Sequence, residues 1–279
     1  MRTTMRLINL SRNLALGLGL SLGVGLLMSG SALAADSATA RHHPKEVEFE
    51  FEGPFGTYDR GALQRGYQVY KEVCAACHSL QYIAFRNLAD KGGPEFSEAQ
   101  ARALAAAVRV PAEPNEQGET VDEKGVPLTR PAVLSDKLPA PYPNENAARA
   151  NNGGSLPPDL SLMAKAREDG VRYVYSLLTG YDEKAPASFH VPAGKNYNPY
   201  FEGWAIGMPK PLNENGVTYS DGTKATVAQQ AHDVVTFLAW TAEPKMEDRK
   251  RMGFGVLIFL VTLAGLLFAA YRKVWKDAH

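Results

Sequence analysis

Cysteine is scarce: the 279-residue chain has two, which rules out a disulfide-stapled scaffold, since two thiols close one bridge at most. An excess of either charge is missing as well, with 30 Lys plus Arg against 30 Asp plus Glu. Without a basic surplus there is no electrostatic footprint for phosphates, and no nucleic-acid partner is expected. Apolar residues make up 45%, too many for a disordered chain. Long hydrophobic runs are confined to two places, one near each end.

The first follows Arg2, Arg6 and Arg12, spans residues 14–28 and leads to Ala32-Leu33-Ala34, with no acidic residue before Asp36. A basic start, an apolar middle and an A-x-A end describe a cleaved secretory signal over residues 1–35, with an uncleaved anchor as the plainer alternative. The second run, residues 252–271, has Thr262 as its one clearly polar side chain and is long enough to cross a hydrocarbon layer of about 30 Å. Arg249, Lys250 and Arg251 precede it, Arg272, Lys273 and Lys276 follow it, and Tyr271 and Trp275 sit where interfacial anchors belong. With basic residues on both sides, orientation comes from the leader: residues 36–246 outside the cytoplasm, 247–251 a basic juxtamembrane segment, 252–271 a transmembrane helix and 272–279 a cytoplasmic tail. The zero net charge then divides into +3 for residues 1–35, −6 for 36–246 (21 basic, 27 acidic) and +3 for 247–279.

Both cysteines fall in Cys74-Ala75-Ala76-Cys77-His78, the spacing of covalent haem attachment. Thiols three residues apart on a helical turn share a face and can each bond one vinyl group of a single porphyrin. The adjacent His78 can bring an imidazole nitrogen to the iron. A zinc site would need further paired ligands, which His42, His43, His190, His232 and His279 do not supply by spacing. A thiol-disulfide enzyme is the stronger rival. It requires a strand-turn-helix setting, whereas Asp59 as N-cap followed by Leu63, Tyr67, Tyr70, Cys74 and Cys77 reads as one helical stripe continuing into the motif.

An iron with one open position activates small molecules, and one with two protein ligands chiefly transfers electrons. Beyond the leader the methionines are Met163, Met208, Met246 and Met252. Met208 lies between Gly207 and Pro209 in an irregular segment that can present a thioether, and His190, His232 and Met163 remain alternatives. Residues 111–158 hold nine of the eighteen prolines, so loop or turn is expected there. Helices are expected over 98–108, over 160–178, and from a Thr226-x-x-Gln229 capping box onward with Val227, Ala231, Val234 and Leu238 inward. Gly66 would let that last helix approach the first, under Phe237 or Trp240. Helices around a haem with long proline-rich loops point to an all-α cytochrome domain.

Arg65-Gly-Tyr-Gln-Val-Tyr-Lys-Glu-Val-Cys74, Pro141-Tyr-Pro-Asn144, Asn151 with Asn152, Leu156-Pro-Pro-Asp-Leu-Ser161, the segment from Tyr173 to Tyr181, Asn198-Pro-Tyr-Phe201, Ala205-Ile-Gly-Met208, Ala242-Glu-Pro244 and Arg249-Lys-Arg-Met-Gly253 together resemble, in order and over nearly all of the mature chain, the cytochrome c1 family of bacterial type. Its members are the haem subunits of the cytochrome bc1 complex, ubiquinol:cytochrome c oxidoreductase. The resemblance implies a class I cytochrome c-like haem domain, one covalent haem c on Cys74 and Cys77, and His78 and Met208 as axial ligands. It also implies Arg167 and Tyr173 near the haem propionates, and Asn152 and Pro158 lining the haem. Some bacterial relatives brace the methionine loop with a disulfide that this chain lacks the cysteines to form.

The function implied is a one-electron relay in the bacterial inner membrane, from the Rieske iron-sulfur protein to a soluble or anchored periplasmic cytochrome c, in a complex with cytochrome b. Such a chain is an electron-transfer subunit, not an enzyme on its own. A stand-alone anchored cytochrome, or the haem subunit of another oxidoreductase, is the alternative. Glu113, Glu116, Glu119, Asp122 and Glu123 form an acidic run that could steer a basic cytochrome c.

Overall fold

The computed structural model describes residues 40–276; the leader expected at 1–35 and residues 277–279 lie outside the described residues. Six α-helices carry the fold: α1 (Arg60–Glu72), α2 (Glu98–Ala106), α3 (Glu145–Asn151), α4 (Gly170–Thr179), α5 (Val227–Ala242) and α6 (Met246–Val274). All-α needs one qualification, because two short antiparallel ladders are also present. Strand β1 (Arg109–Pro111) pairs with β2 (Thr129–Pro131), and β3 (Asn196–Tyr197) with β4 (Ala205–Ile206).

The helix signals act locally as the sequence suggests. Asp59 caps α1, its carboxylate accepting from the Ala62 amide at 2.9 Å. Ser97 and Gln100 close a full capping box on α2, with the Gln100 amide donating to Ser97 Oγ and the Ser97 amide to Gln100 Oε1. At α5 only half of the expected box forms. Thr226 Oγ1 accepts from the Gln229 amide, but the Gln229 side chain turns away to Asp233 at 3.1 Å.

Helix α5 is the centre of the core, with residues 233–241 all buried, and α1 lies directly across it. An added Cβ on Gly66 would stand 2.1 Å from the Asp233 carbonyl oxygen and 2.7 Å from Phe237 Cβ, so the crossing requires glycine. Phe237 is the side chain over Gly66, while Trp240 covers Gly93 instead, where a Cβ would meet its ring at 2.8 Å. Beside the crossing, Arg65 grips the buried Asp233 carboxylate with two bonds of 3.0 Å and holds Asp221 with a third at 2.8 Å.

Three elements differ from the sequence pattern. Helix α1 stops at Glu72, and Cys74 opens a separate 3₁₀ turn, Cys74–Ala76, that Cys77 caps. The helix expected over 160–178 begins only at Gly170: its N-cap Asp169 is left-handed at φ 62°, and Gly170 enters at φ 49°, so no continuous α-helix runs through this point. Leu162 and Ala166 are therefore exposed on turns and not part of an inward stripe. The proline-rich region 111–158 contains β2 and also α3, capped by Asn144. Helix α6 runs 29 residues, long and apolar enough to cross a membrane, and the basic residues at 249–251 form part of that same helix.

Gly66→Ala should destabilise the folded chain by about 1–3 kcal/mol or more, since the intruding methyl meets backbone that cannot move aside. Thermal melts of the haem-loaded protein measure this, and an unchanged midpoint would contradict the crossing.

Candidate functional site

The Cys74-Ala75-Ala76-Cys77-His78 segment leaves α1 in a tight turn, with the Cys77 and His78 amides both donating to the Cys74 carbonyl at 3.1 and 2.9 Å. Cys77 caps that turn with φ −126° and ψ −29°, so the two thiols stand at the two ends of one short turn. Both are free and half-buried. Burial, with a contribution from Cys77, pushes the Cys74 thiol up to about 12. A thiol held protonated in this way lacks the low pKa that makes a thiol-disulfide catalyst reactive.

His78 has one ring nitrogen committed. Its Nδ1 lies 2.8 Å from the Pro158 carbonyl, and because a carbonyl can only accept, Nδ1 carries the hydrogen. Burial lowers the His78 pKa, against the opposing effects of Pro158 and Asp159, so the ring is neutral at neutral pH and its Nε2 keeps a free lone pair. That is the tautomer and orientation of a metal-binding imidazole. Pro158 thus acts through its carbonyl, while its residue is exposed.

Asp159 fastens the two loops that meet here. Its carboxylate accepts from Ser79 Oγ (2.7 Å), the Gln81 amide (3.0 Å) and the Ser161 amide (2.9 Å). The Leu160 amide donates to the Ser79 carbonyl, and Thr241 Oγ1 of α5 reaches the Ser161 carbonyl. Burial raises the Asp159 pKa, but the bonds from Ser161, Gln81 and Ser79 outweigh it and hold the carboxyl below its ordinary 3.8.

Met208 is half-buried against the core, and its segment is more ordered than the sequence suggests. The two residues at 205–206 form β4, entered from a turn in which Gly203 and Trp204 have φ of 73° and 57°. The Met208 carbonyl accepts from Tyr181 Oη at 3.0 Å and Asn196 Nδ2 at 3.2 Å. Gly207 allows the 155 loop to close in, since a Cβ there would lie 2.2 Å from Ser155 Oγ. Asn198, fully buried, donates to the Leu177 carbonyl and accepts from the Tyr200 amide, tying the approach to this segment onto α4. Side-chain and backbone hydrogen bonds perform the bracing for which no cysteine is available.

Arg167 and Tyr173 line one recess of about 260 Å³, together with Arg41, Glu168, Phe201 and Glu202. Arg41 belongs to no sequence motif. Its guanidinium lies 5.3 Å from the Tyr173 ring centroid, pairs with Asp169 and Glu168 at 3.0 and 3.2 Å, and keeps a buried Nη1 that has no hydrogen-bond acceptor. The orphaned guanidinium nitrogen, beside a second arginine and a tyrosine, can take one further acceptor such as a carboxylate oxygen, while Glu168 and Glu202 balance the two arginines of the recess. Asn152 is not drawn to any of these residues by a hydrogen bond; its side chain donates to the Ala148 carbonyl at the end of α3. Among the alternative axial ligands, His232 stacks on Phe49 and reaches the Glu48 carbonyl, His190 is exposed, and Met163 packs on the core.

Two thiols at the ends of one short turn, an imidazole with its distal nitrogen left free, and a recess holding an unpaired guanidinium nitrogen are the fittings of a protein that carries a covalently attached haem. A profile of the cytochrome c1 family matches residues 49–278. Cytochrome b/c1 of Bradyrhizobium diazoefficiens is 50% identical over 90% of this chain, and the chain spans 38% of that longer protein's length. A mitochondrial cytochrome c1 heme protein of Arabidopsis thaliana is 48% identical over 86% of this chain and 75% of its own, and that of Saccharomyces cerevisiae 47% over 88% and 77%. The chain belongs to the cytochrome c1 family.

Asp159→Asn should cost about 1–3 kcal/mol by weakening the three hydrogen bonds to a half-buried charged acceptor. Because the folded carboxyl titrates below 3.8, its stabilisation is complete above that pH and is lost as pH falls through the folded value. Melts recorded from pH 7 down to 3 should show the parent converging on the variant, and a constant gap would refute this role.

Proposed function

We propose that this chain is the haem-bearing, membrane-anchored subunit of a quinol:cytochrome c oxidoreductase, relaying single electrons from a Rieske iron-sulfur protein to a periplasmic cytochrome c, alongside cytochrome b. The observation that carries this reading is the His78 imidazole, kept neutral by burial and oriented by the Pro158 carbonyl, directly after a Cys-x-x-Cys pair on one short turn, in a member of the cytochrome c1 family. The cofactor is one haem c, bonded through Cys74 and Cys77. When bound it supplies a one-electron couple between Fe(III) and Fe(II).

His78 and Met208 would hold the haem iron in a class I cytochrome c-like domain with long proline-rich loops. A thioether paired with an imidazole would favour the reduced state more than a second imidazole, and two protein ligands would leave no position for oxygen. Arg167, Tyr173 and Arg41 would receive the propionates in their recess. Asn152 and Pro158 belong to the segments that border the haem, Pro158 through its hold on His78. Residues 1–35 export the domain spanning 36–246, 247–251 meet the headgroups, 252–271 cross the inner membrane once, and 272–279 remain in the cytoplasm.

Glu113, Glu116, Glu119, Asp122 and Glu123 are all exposed on the excursion between β1 and β2, where a basic cytochrome c can sense them at a distance.

Detergent extraction should recover the chain with a cytochrome b and a Rieske protein, and the denatured polypeptide should keep its haem. Recovery of the chain alone would leave a stand-alone carrier and overturn the assignment. Met208→Leu should retain haem while the potential falls by more than about 59 mV, a tenfold shift for one electron, and an unmoved potential would exclude Met208 as ligand. If the acidic run steers, the second-order rate with cytochrome c should fall as ionic strength rises, and a rate indifferent to salt would remove that role.

A further inference from the structure

Outside helix α6, the most exposed large apolar side chain among the described residues is Phe55, at 83%. It sits on a loop that is built, not loose. Phe51, at the loop's start, is buried and packs against Phe49 and Tyr58, each ring 5.2 Å away. Gly53 takes a φ of 70°, and Gly56 closes the turn so tightly that a Cβ would lie 2.0 Å from the Glu52 carbonyl oxygen. Both ends are held by the same cation: Lys250 Nζ of α6 donates to the Phe51 and Gly56 carbonyls at 2.6 and 2.8 Å.

The base of α6 is fixed in turn. Arg60 grips the Glu247 carboxylate with two bonds of 2.7 and 2.8 Å, and Glu247 Oε1 also accepts from the Tyr58 amide at 2.9 Å. The loop and the first turns of the helix therefore move as one piece. Its tip ring reaches Phe254, 6.5 Å between centroids, and Phe254 is itself 57% exposed. Phe254 stands three residues beyond Arg251, the last charge before the apolar run, which places it about 4.5 Å further along the helix axis.

We propose that residues 51–56 form a second membrane contact, with Phe55 seated at the boundary between headgroups and acyl chains in the leaflet that α6 enters from the domain side. The occupant is lipid. A ring clamped in place beside an apolar span, immediately past a collar of Arg249, Lys250 and Arg251, is surrounded by bilayer once the helix is inserted, and the collar lies at the level of the phosphates. Two contacts on one rigid base fix the tilt of the domain over the membrane, which a single helix with a flexible neck would leave free. The inference rests on the reading that α6 spans the membrane.

The test is photo-crosslinking in native membranes, with whatever subunits the chain holds there. Phe55→p-benzoylphenylalanine, irradiated and digested, should yield a peptide carrying the mass of a phospholipid, several-fold more than the same substitution at Val126, an exposed apolar residue far along the chain. The same probe at Leu263 and Leu266 reports on the span itself. Lipid adducts within the span but none at position 55, or an adduct at 55 with another polypeptide in place of lipid, would overturn the second contact while leaving the span intact. No lipid adduct at any of the three positions would overturn the span reading and the inference with it. Because Phe55 is exposed, its replacement leaves the fold undisturbed, and unchanged haem content in the labelled chain confirms this.

Discussion

The crossing of α1 over α5 sets the position of everything else. It depends on backbone approaching backbone at Gly66, closer than any side chain would permit, and on Arg65 neutralising a wholly buried Asp233 beside the contact. Breaking such a pair by removing one partner typically costs about 3–5 kcal/mol, because the other charge is stranded in a poor solvent. Helix α1 delivers the cysteine turn at its end. Helix α5 reaches the loop on the far side of the histidine through Thr241 and the Ser161 carbonyl. The register between these helices therefore decides where the thiols stand relative to the loop that orients His78.

From that frame the site is assembled by hydrogen bonds from segments far apart in the chain. Pro158 selects the tautomer of His78, and Asp159 holds the loops carrying both residues. Tyr181 and Asn196 pin the backbone at Met208, while Asn198 joins the methionine segment to α4. Rigidity of this sort matters for a carrier of electrons, because a protein that does not rearrange when the charge at its centre changes presents a small barrier to transfer. The same economy of motion extends to the base of α6, where Arg60, Glu247 and Lys250 join helix and domain without a hinge.

Much of this is legible from local chemistry. Asp59, Ser97 and Thr226 cap helices because a short oxygen-bearing side chain accepts from an amide two or three residues on, whatever the tertiary context. The glycine at 66 announces a close approach because nothing else in a helix interior justifies its conformational cost. What misled was equally physical. A stripe of apolar residues over 160–178 has helical period, yet the left-handed angles at Asp169 and Gly170 let a helix start there and not run through from 160. The cysteines extend the stripe of α1, yet lie in a tighter turn beyond its end. Arg41 has no motif, and only the folded chain brings it over Tyr173.

The sequence by itself determined the chemistry: two thiols at haem spacing, the histidine beside them, a methionine between glycine and proline, and one apolar segment long enough to span a bilayer. These are covalent and compositional properties, and they survive any arrangement of the chain. Only the tertiary structure decided how each group is held. The hydrogen on Nδ1 of His78 follows from a carbonyl 80 residues away, and the bracing of Met208 from residues up to 27 positions distant. The exposure of Phe55 beside Phe254 follows from a lysine nearly 200 residues along the chain. Contacts of that range follow from the packing of helices, and no local pattern of residues encodes them.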